Sequence, residues 1–123
     1  MKILVRIQDV ELAAELNDSP TANAIADALP LEGGARVWGE EIYFDIPVIA
    51  PLEENAVAEV EIGTLAYWPA GSAFCIFFGP TPVSTNDKPR AYSPVNVIGR
   101  IVEDTAPLKT IADGAPVSIA TRR

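Results

Sequence analysis

Arg90 stands in the run Lys88-Pro89-Arg90-Ala91-Tyr92, and its guanidinium could grip a carboxylate or a phosphate through two parallel hydrogen bonds. It could equally pair with one of the many surface carboxylates of this chain, and the two readings weigh evenly. Tyr92 and Trp68 are the aromatic neighbours expected to share a pocket with it. Tyr67, Thr81 and Asn96 complete the set of candidate ligand contacts, the last two through hydrogen bonds. Each has a plainer reading. Aromatic residues on strands, Tyr43 among them, more often fill a core, and Thr81 and Asn96 suit turns as well as sites.

Other residue types exclude more than they offer. Glu40 and Glu41 look like an acid–base pair, but neighbours on a strand point to opposite faces, so their carboxylates diverge. Glu59 and Glu61 share a face that reads as solvated. The single cysteine, Cys75, lies in the apolar run Ala73 to Phe78 and reads as a buried, inert thiol. The chain has no histidine. That removes imidazole acid–base chemistry, the usual serine and cysteine triads, and imidazole zinc sites. No metal cluster, phosphate-cradling glycine loop or cofactor motif is legible. The net charge is −8 and the nine basic residues are scattered, which argues against nucleic acid as a partner. No apolar stretch is long enough to span a bilayer, and Met1-Lys2 runs straight into an alternating strand. A cytoplasmic protein, binding a peptide segment or a small molecule, is the expectation.

These residues must be positioned by β-strands. Ile3, Val5 and Ile7 alternate with polar residues, and Val10 to Leu16 continues as the second arm of a hairpin. Ile42, Phe44 and Ile46 predict a strand, as do Ala58, Val60 and Ile62 up to Gly63, Leu65 to Trp68, Ala73 to Phe78, Val95 to Val102 and Val117 to Thr121. Gly99 interrupts one of these and marks a bend or a close backbone approach. Ser19-Pro20 opens a helix to Leu29 through a capping hydroxyl and a first-turn proline. Thr105 and Pro107 start a second short helix through Ile111 to about Ala112. With 123 residues, one domain spanning 1–123 is expected. It should be mainly β: a closed antiparallel eight-stranded barrel with two short capping helices. Gly79 to Ser93 resists assignment and reads as a long loop, pinned by Pro80, Pro82 and Pro89, beside which a ligand groove would lie.

Two stretches resemble cyclophilins: Val10 to Leu29, with Ser19-Pro20-Thr21-Ala22-Asn23 opening the helix, and Gly71-Ser72-Ala73-Phe74-Cys75-Ile76 followed by Val97-Ile98-Gly99-Arg100-Ile101. The chain is more similar still to a small prokaryotic cyclophilin-like family. The motifs are Trp38-Gly39-Glu40-Glu41-Ile42-Tyr43-Phe44, Tyr67-Trp68-Pro69, Phe77-Phe78-Gly79-Pro80-Thr81-Pro82 and Ser93-Pro94-Val95-Asn96. Thr64 stands where that pattern has an aspartate. The resemblance implies a cyclophilin-like barrel and raises prolyl isomerisation as an alternative function. Where cyclophilins hold the peptide with a glutamine, an aromatic residue and a histidine, this chain has Ala73, Cys75 and Val95. For the family's arginine, Arg36 and Arg90 are the candidates.

Overall fold

The computed structural model describes residues 1–122. Its strands, in chain order, are β1 Lys2–Ile7, β2 Val10–Leu16, β3 Leu31–Gly34, β4 Arg36–Trp38, β5 Glu41–Asp45, β6 Val57–Glu59, β7 Thr64–Trp68, β8 Ala73–Phe77, β9 Arg90–Ile101 and β10 Pro116–Thr121. The alternation of Ile3, Val5 and Ile7 puts all three in the core, and β1 pairs with β2 from Ile7↔Val10 to Lys2↔Glu15. Helix α1, Pro20–Ala28, starts as its sequence requires: the Ser19 Oγ accepts the Ala22 N–H at 3.3 Å, and Pro20 occupies the first turn. Thr21, Ala22 and Ile25 form its buried face.

The strands form one antiparallel sheet in the order β3-β10-β1-β2-β9-β7-β8-β5-β4, with β6 attached to β9. Eight strands in a closed ladder were expected. Among the described residues there are ten, and no ladder joins the terminal strands β3 and β4. The reason is covalent: both edges come from one bent segment, with only Ala35 between them. Ala35 stays bonded to the β10 side, receiving the Gly114 N–H and donating to the Ala115 carbonyl at 2.7 Å. The second helix is also a correction. It is a 3₁₀ turn over Ala106–Thr110, because Thr105 supplies no side-chain cap and the bonds run three residues back, as from the Leu108 N–H to the Thr105 carbonyl.

Two further segments differ from the alternation pattern. β6 stops at Glu59, and Ile62, expected to alternate inward, is exposed near a turn at Gly63 (φ 93°). β9 begins at Arg90, five residues before the expected strand. The unassigned loop is thus shorter at its far end, and Arg90, Tyr92 and Ser93 lie on a strand. The first half of β9 pairs with β6 (Glu59↔Arg90, Val57↔Val95), and its second half pairs with β7 and β2. At the crossover Leu65 pairs with Gly99 and Ala66 with Val97, so Ile98 is a bulged residue.

Two apolar clusters result. The larger fills one face of the sheet and includes Ile3, Phe44, Leu65, Phe74, Ile98 and Ile119. The smaller lies on the other face of β7 and β8, around Ala66, Ala73, Cys75, Phe77, Ala91 and Val95. It is there because β6 and the first half of β9 fold over that face. Cys75 is the buried free thiol its apolar run implied. Among the described residues no helix is long and apolar enough to cross a membrane.

Candidate functional site

The second cluster is incompletely covered, and the uncovered part is a pocket of about 260 Å³. Sheet register builds it. Glu41 and Tyr43 project from one face of β5; on the neighbouring strand Glu41 faces Phe77 and Tyr43 faces Cys75. On the other side Trp38 of β4 pairs with Glu41. Trp68 comes from the end of β7, opposite Ala73. Ala91, Tyr92 and Val95 arrive from β9. The Gly79–Pro89 loop is held against the β4–β5 turn by the Glu40 N–H on the Pro80 carbonyl and the Phe78 N–H on the Glu40 carbonyl, both at 2.9 Å.

Aromatic rings make the walls. Tyr92 lies 6.3 Å from Trp38 and 6.2 Å from Trp68, centroid to centroid, with interplanar angles of 68° and 80°. The Trp68 indole is fixed by donating its Nε1–H to the Ser93 hydroxyl at 2.7 Å. Tyr92 is 75% exposed, so it forms the outer wall without being packed away. The acidic group of the pocket is Glu41, only 6% exposed. Burial pushes its carboxyl from 4.5 up to about 7, against a smaller opposing effect from its hydrogen bond with Cys75. The Cys75 thiol is held well above its usual range, by burial first and then by the negative charge of Glu41. It is therefore a neutral thiol, not a nucleophile. Glu40 diverges from Glu41 because it lies in the β4–β5 turn and not on a strand, and it reaches Lys109 at 3.8 Å.

The expected contacts are only partly brought together. Trp68 and Tyr92 share the pocket. Arg90 does not line it: the residue sits half-buried opposite Glu59, and its carbonyl accepts the Thr81 hydroxyl. Thr81 is absent from the lining and serves the loop: its N–H donates to the Ser84 hydroxyl at 2.9 Å, closing a turn. Tyr67 is fully buried in the larger core, donating its hydroxyl to the Val48 carbonyl at 2.7 Å. Asn96 is also buried and engaged. It donates to the Thr21 hydroxyl at 3.0 Å and the Pro51 carbonyl at 2.9 Å, and accepts the Glu53 N–H at 2.8 Å. It ties helix α1 and the segment after β5 to β9. Arg36, paired with Tyr43 across β4 and β5, is exposed, 3.4 Å from Asp45 and with its guanidinium 5.9 Å from the Tyr43 centroid.

Trp38 and Glu41 are the residues the sequence reading left out of the site. Their signal was present as Trp38, Glu41 and Tyr43 on one face, but no local pattern shows that β9 comes to lie beside that face. Cys75 and Val95, at two of the positions where the resemblance places peptide-holding side chains, do line the pocket, while Ala73 lies beside it in the same cluster.

Comparison with known proteins gives the same relationship. No curated protein matches the chain. The hypothetical protein AF2241 from Archaeoglobus fulgidus, solved in solution, is 46% identical, with a TM-score of 0.84 over 99% of this chain and 95% of that one. A family model described as cyclophilin-like matches residues 1–120. The chain belongs to the cyclophilin-like family.

Proposed function

We propose that this domain is a binding module whose ligand, a peptide segment or a small molecule, inserts an apolar group between Trp38, Tyr43, Trp68 and Tyr92. The observation that carries the reading is an open pocket walled by aromatic side chains, with a buried carboxyl and, among the described residues, no base in its lining. Concave, mostly apolar sites with few polar groups are the common form of small-ligand pockets. An anion held by Arg90 is less well supported, because that side chain lies away from the lining.

Both tryptophans of the chain line the pocket, so their indole N–H resonances report on it directly. In an NMR screen of proline-containing peptides and small organic molecules, binders should move both indole signals. Tyr92→Ala should weaken such a binder by about tenfold, as expected for loss of an aromatic wall. Arg90→Ala should leave it unchanged and alter stability by less than about 0.5 kcal/mol. Binders that move only the signals of the Gly79–Pro89 loop would overturn the assignment.

A weak prolyl isomerase is the second reading, favoured by Cys75 and Val95 standing at peptide-holding positions of the resemblance. Catalysis of that reaction depends on a positioned donor at the prolyl nitrogen. The Arg36 guanidinium is turned toward Asp45 and the Tyr43 ring, and neither Arg36 nor Arg90 is in the lining. Turnover of a proline peptide should therefore stay close to the uncatalysed rate. A rate like that of ordinary cyclophilins would replace the binding reading with the enzymatic one.

A further inference from the structure

We infer that the ligand group taken by this pocket is a small organic cation, an alkylated ammonium, seated in the corner formed by Trp38, Tyr92 and Trp68 and paired with the Glu41 carboxylate. The inference rests on the pocket being a binding site and names the chemistry it would select.

The geometry supports it in three ways. Tyr92 stands between two indoles at steep angles to both, so the rings form successive walls and not a flat stack. A cation in the space they line can lie within the roughly 6 Å over which a ring face attracts positive charge, and tryptophan is the strongest such partner. Among the described residues the lining contains one acid and no base. A net charge of −8 adds a long-range field of the right sign. Finally, the remaining lining is apolar: Cys75, Ala91 and Val95. One carboxylate and apolar walls cannot replace the hydration shell of an inorganic cation or a bare ammonium, which is costly to strip. Alkylation weakens that shell and supplies apolar surface to the walls.

Binding of a cation would draw Glu41 into its charged form. The titratable groups sharing the pocket with it are Cys75 from β8, Tyr43 from its own strand and Tyr92 from β9, while Arg36 of β4 is turned to Asp45 and the Tyr43 ring. The affinity for a permanent cation should therefore rise between about pH 5.5 and pH 8 as Glu41 loses its proton.

The decisive comparison is choline against 3,3-dimethylbutan-1-ol, its uncharged carbon isostere, by calorimetry and by the indole resonances. At about pH 8 choline should bind at least about tenfold more tightly than the alcohol. Glu41→Gln should lower choline affinity at least about tenfold and leave the alcohol unaffected. Tyr92→Leu, at an exposed position and of preserved apolar character, should lower choline affinity more than that of the alcohol, through loss of the ring, while the fold is retained. A trimethyl-lysine peptide distinguishes the source: tighter binding than choline assigns a protein side chain, weaker binding a free metabolite-sized cation. Equal binding of choline and alcohol, or choline affinity that survives Glu41→Gln, overturns the cation and leaves a purely apolar pocket. Binding of none of the three probes, in a protein whose pocket takes other molecules, also overturns it. A pocket that takes nothing in the wider screen sinks the binding reading itself.

Discussion

Glu41→Gln should make the protein more stable than the parent by about 3 kcal/mol at pH 8, and by less than about 1 kcal/mol near pH 5. The carboxyl titrates near 7 in the fold against 4.5 in the unfolded chain. Between those values the folded state keeps a proton that the unfolded state has released. Stability therefore falls as pH rises through this window. It is fully present below 4.5 and lost by the time pH has passed 7. At 1.36 kcal/mol per unit the whole effect is about 3 kcal/mol. A neutral amide of the same shape abolishes that dependence. Other carboxylates, numerous in an acidic chain, titrate alike in parent and variant and cancel in the difference. Urea unfolding of both proteins at pH 5 and pH 8 reads it directly. An identical difference at the two pH values would mean that Glu41 is an ordinary exposed acid in solution.

The second large effect is at Gly99. A Cβ built there would lie 2.0 Å from the Glu15 carbonyl oxygen and 3.0 Å from the Leu16 Cα, both backbone atoms of β2. The neighbouring strand cannot yield as a flexible side chain would. It must move away from β9, breaking the short ladder in which Leu16 pairs with Gly99 and Glu15 with Arg100. Gly99→Ala should thus cost at least about 3 kcal/mol, a large share of the total stability of a domain of this size, and lower Tm by roughly 10 °C. Gly34→Ala is the control. A Cβ there meets only the Gly114 carbonyl oxygen, at 4.0 Å, and the change should stay within about 0.5 kcal/mol. Equal destabilisation by the two would show that loss of glycine's backbone freedom, not the close approach, is what matters.

Gly99 also illustrates what could be learned without coordinates. An isolated glycine in an apolar strand signals close backbone approach, and Ser19-Pro20 signals a helix start, because both are local requirements of the chain. The β1–β2 hairpin was legible for the same reason: alternation plus a short polar turn leaves one register that buries Ile3, Val5 and Ile7 together. The second helix was not, since Thr105 has the residue type of a cap and lacks the geometry.

By itself, then, the sequence determined which residues share a strand face, where α1 begins, and which family the chain resembles. Only the tertiary structure decided what lies against each face. β6 and the first half of β9 join through backbone hydrogen bonds, which are indifferent to side-chain type and span more than thirty residues of sequence. No local pattern encodes such a pairing, and Ser93 and Pro94 read locally as loop. Yet it is this pairing that covers Glu41 and Tyr43. It turns that face into a pocket, brings Tyr92 between two tryptophans, and leaves Arg90, the most conspicuous candidate in the sequence, outside. Periodicity reports the side to which a residue points; burial, and with it the protonation of Glu41, depends on what folds over that side.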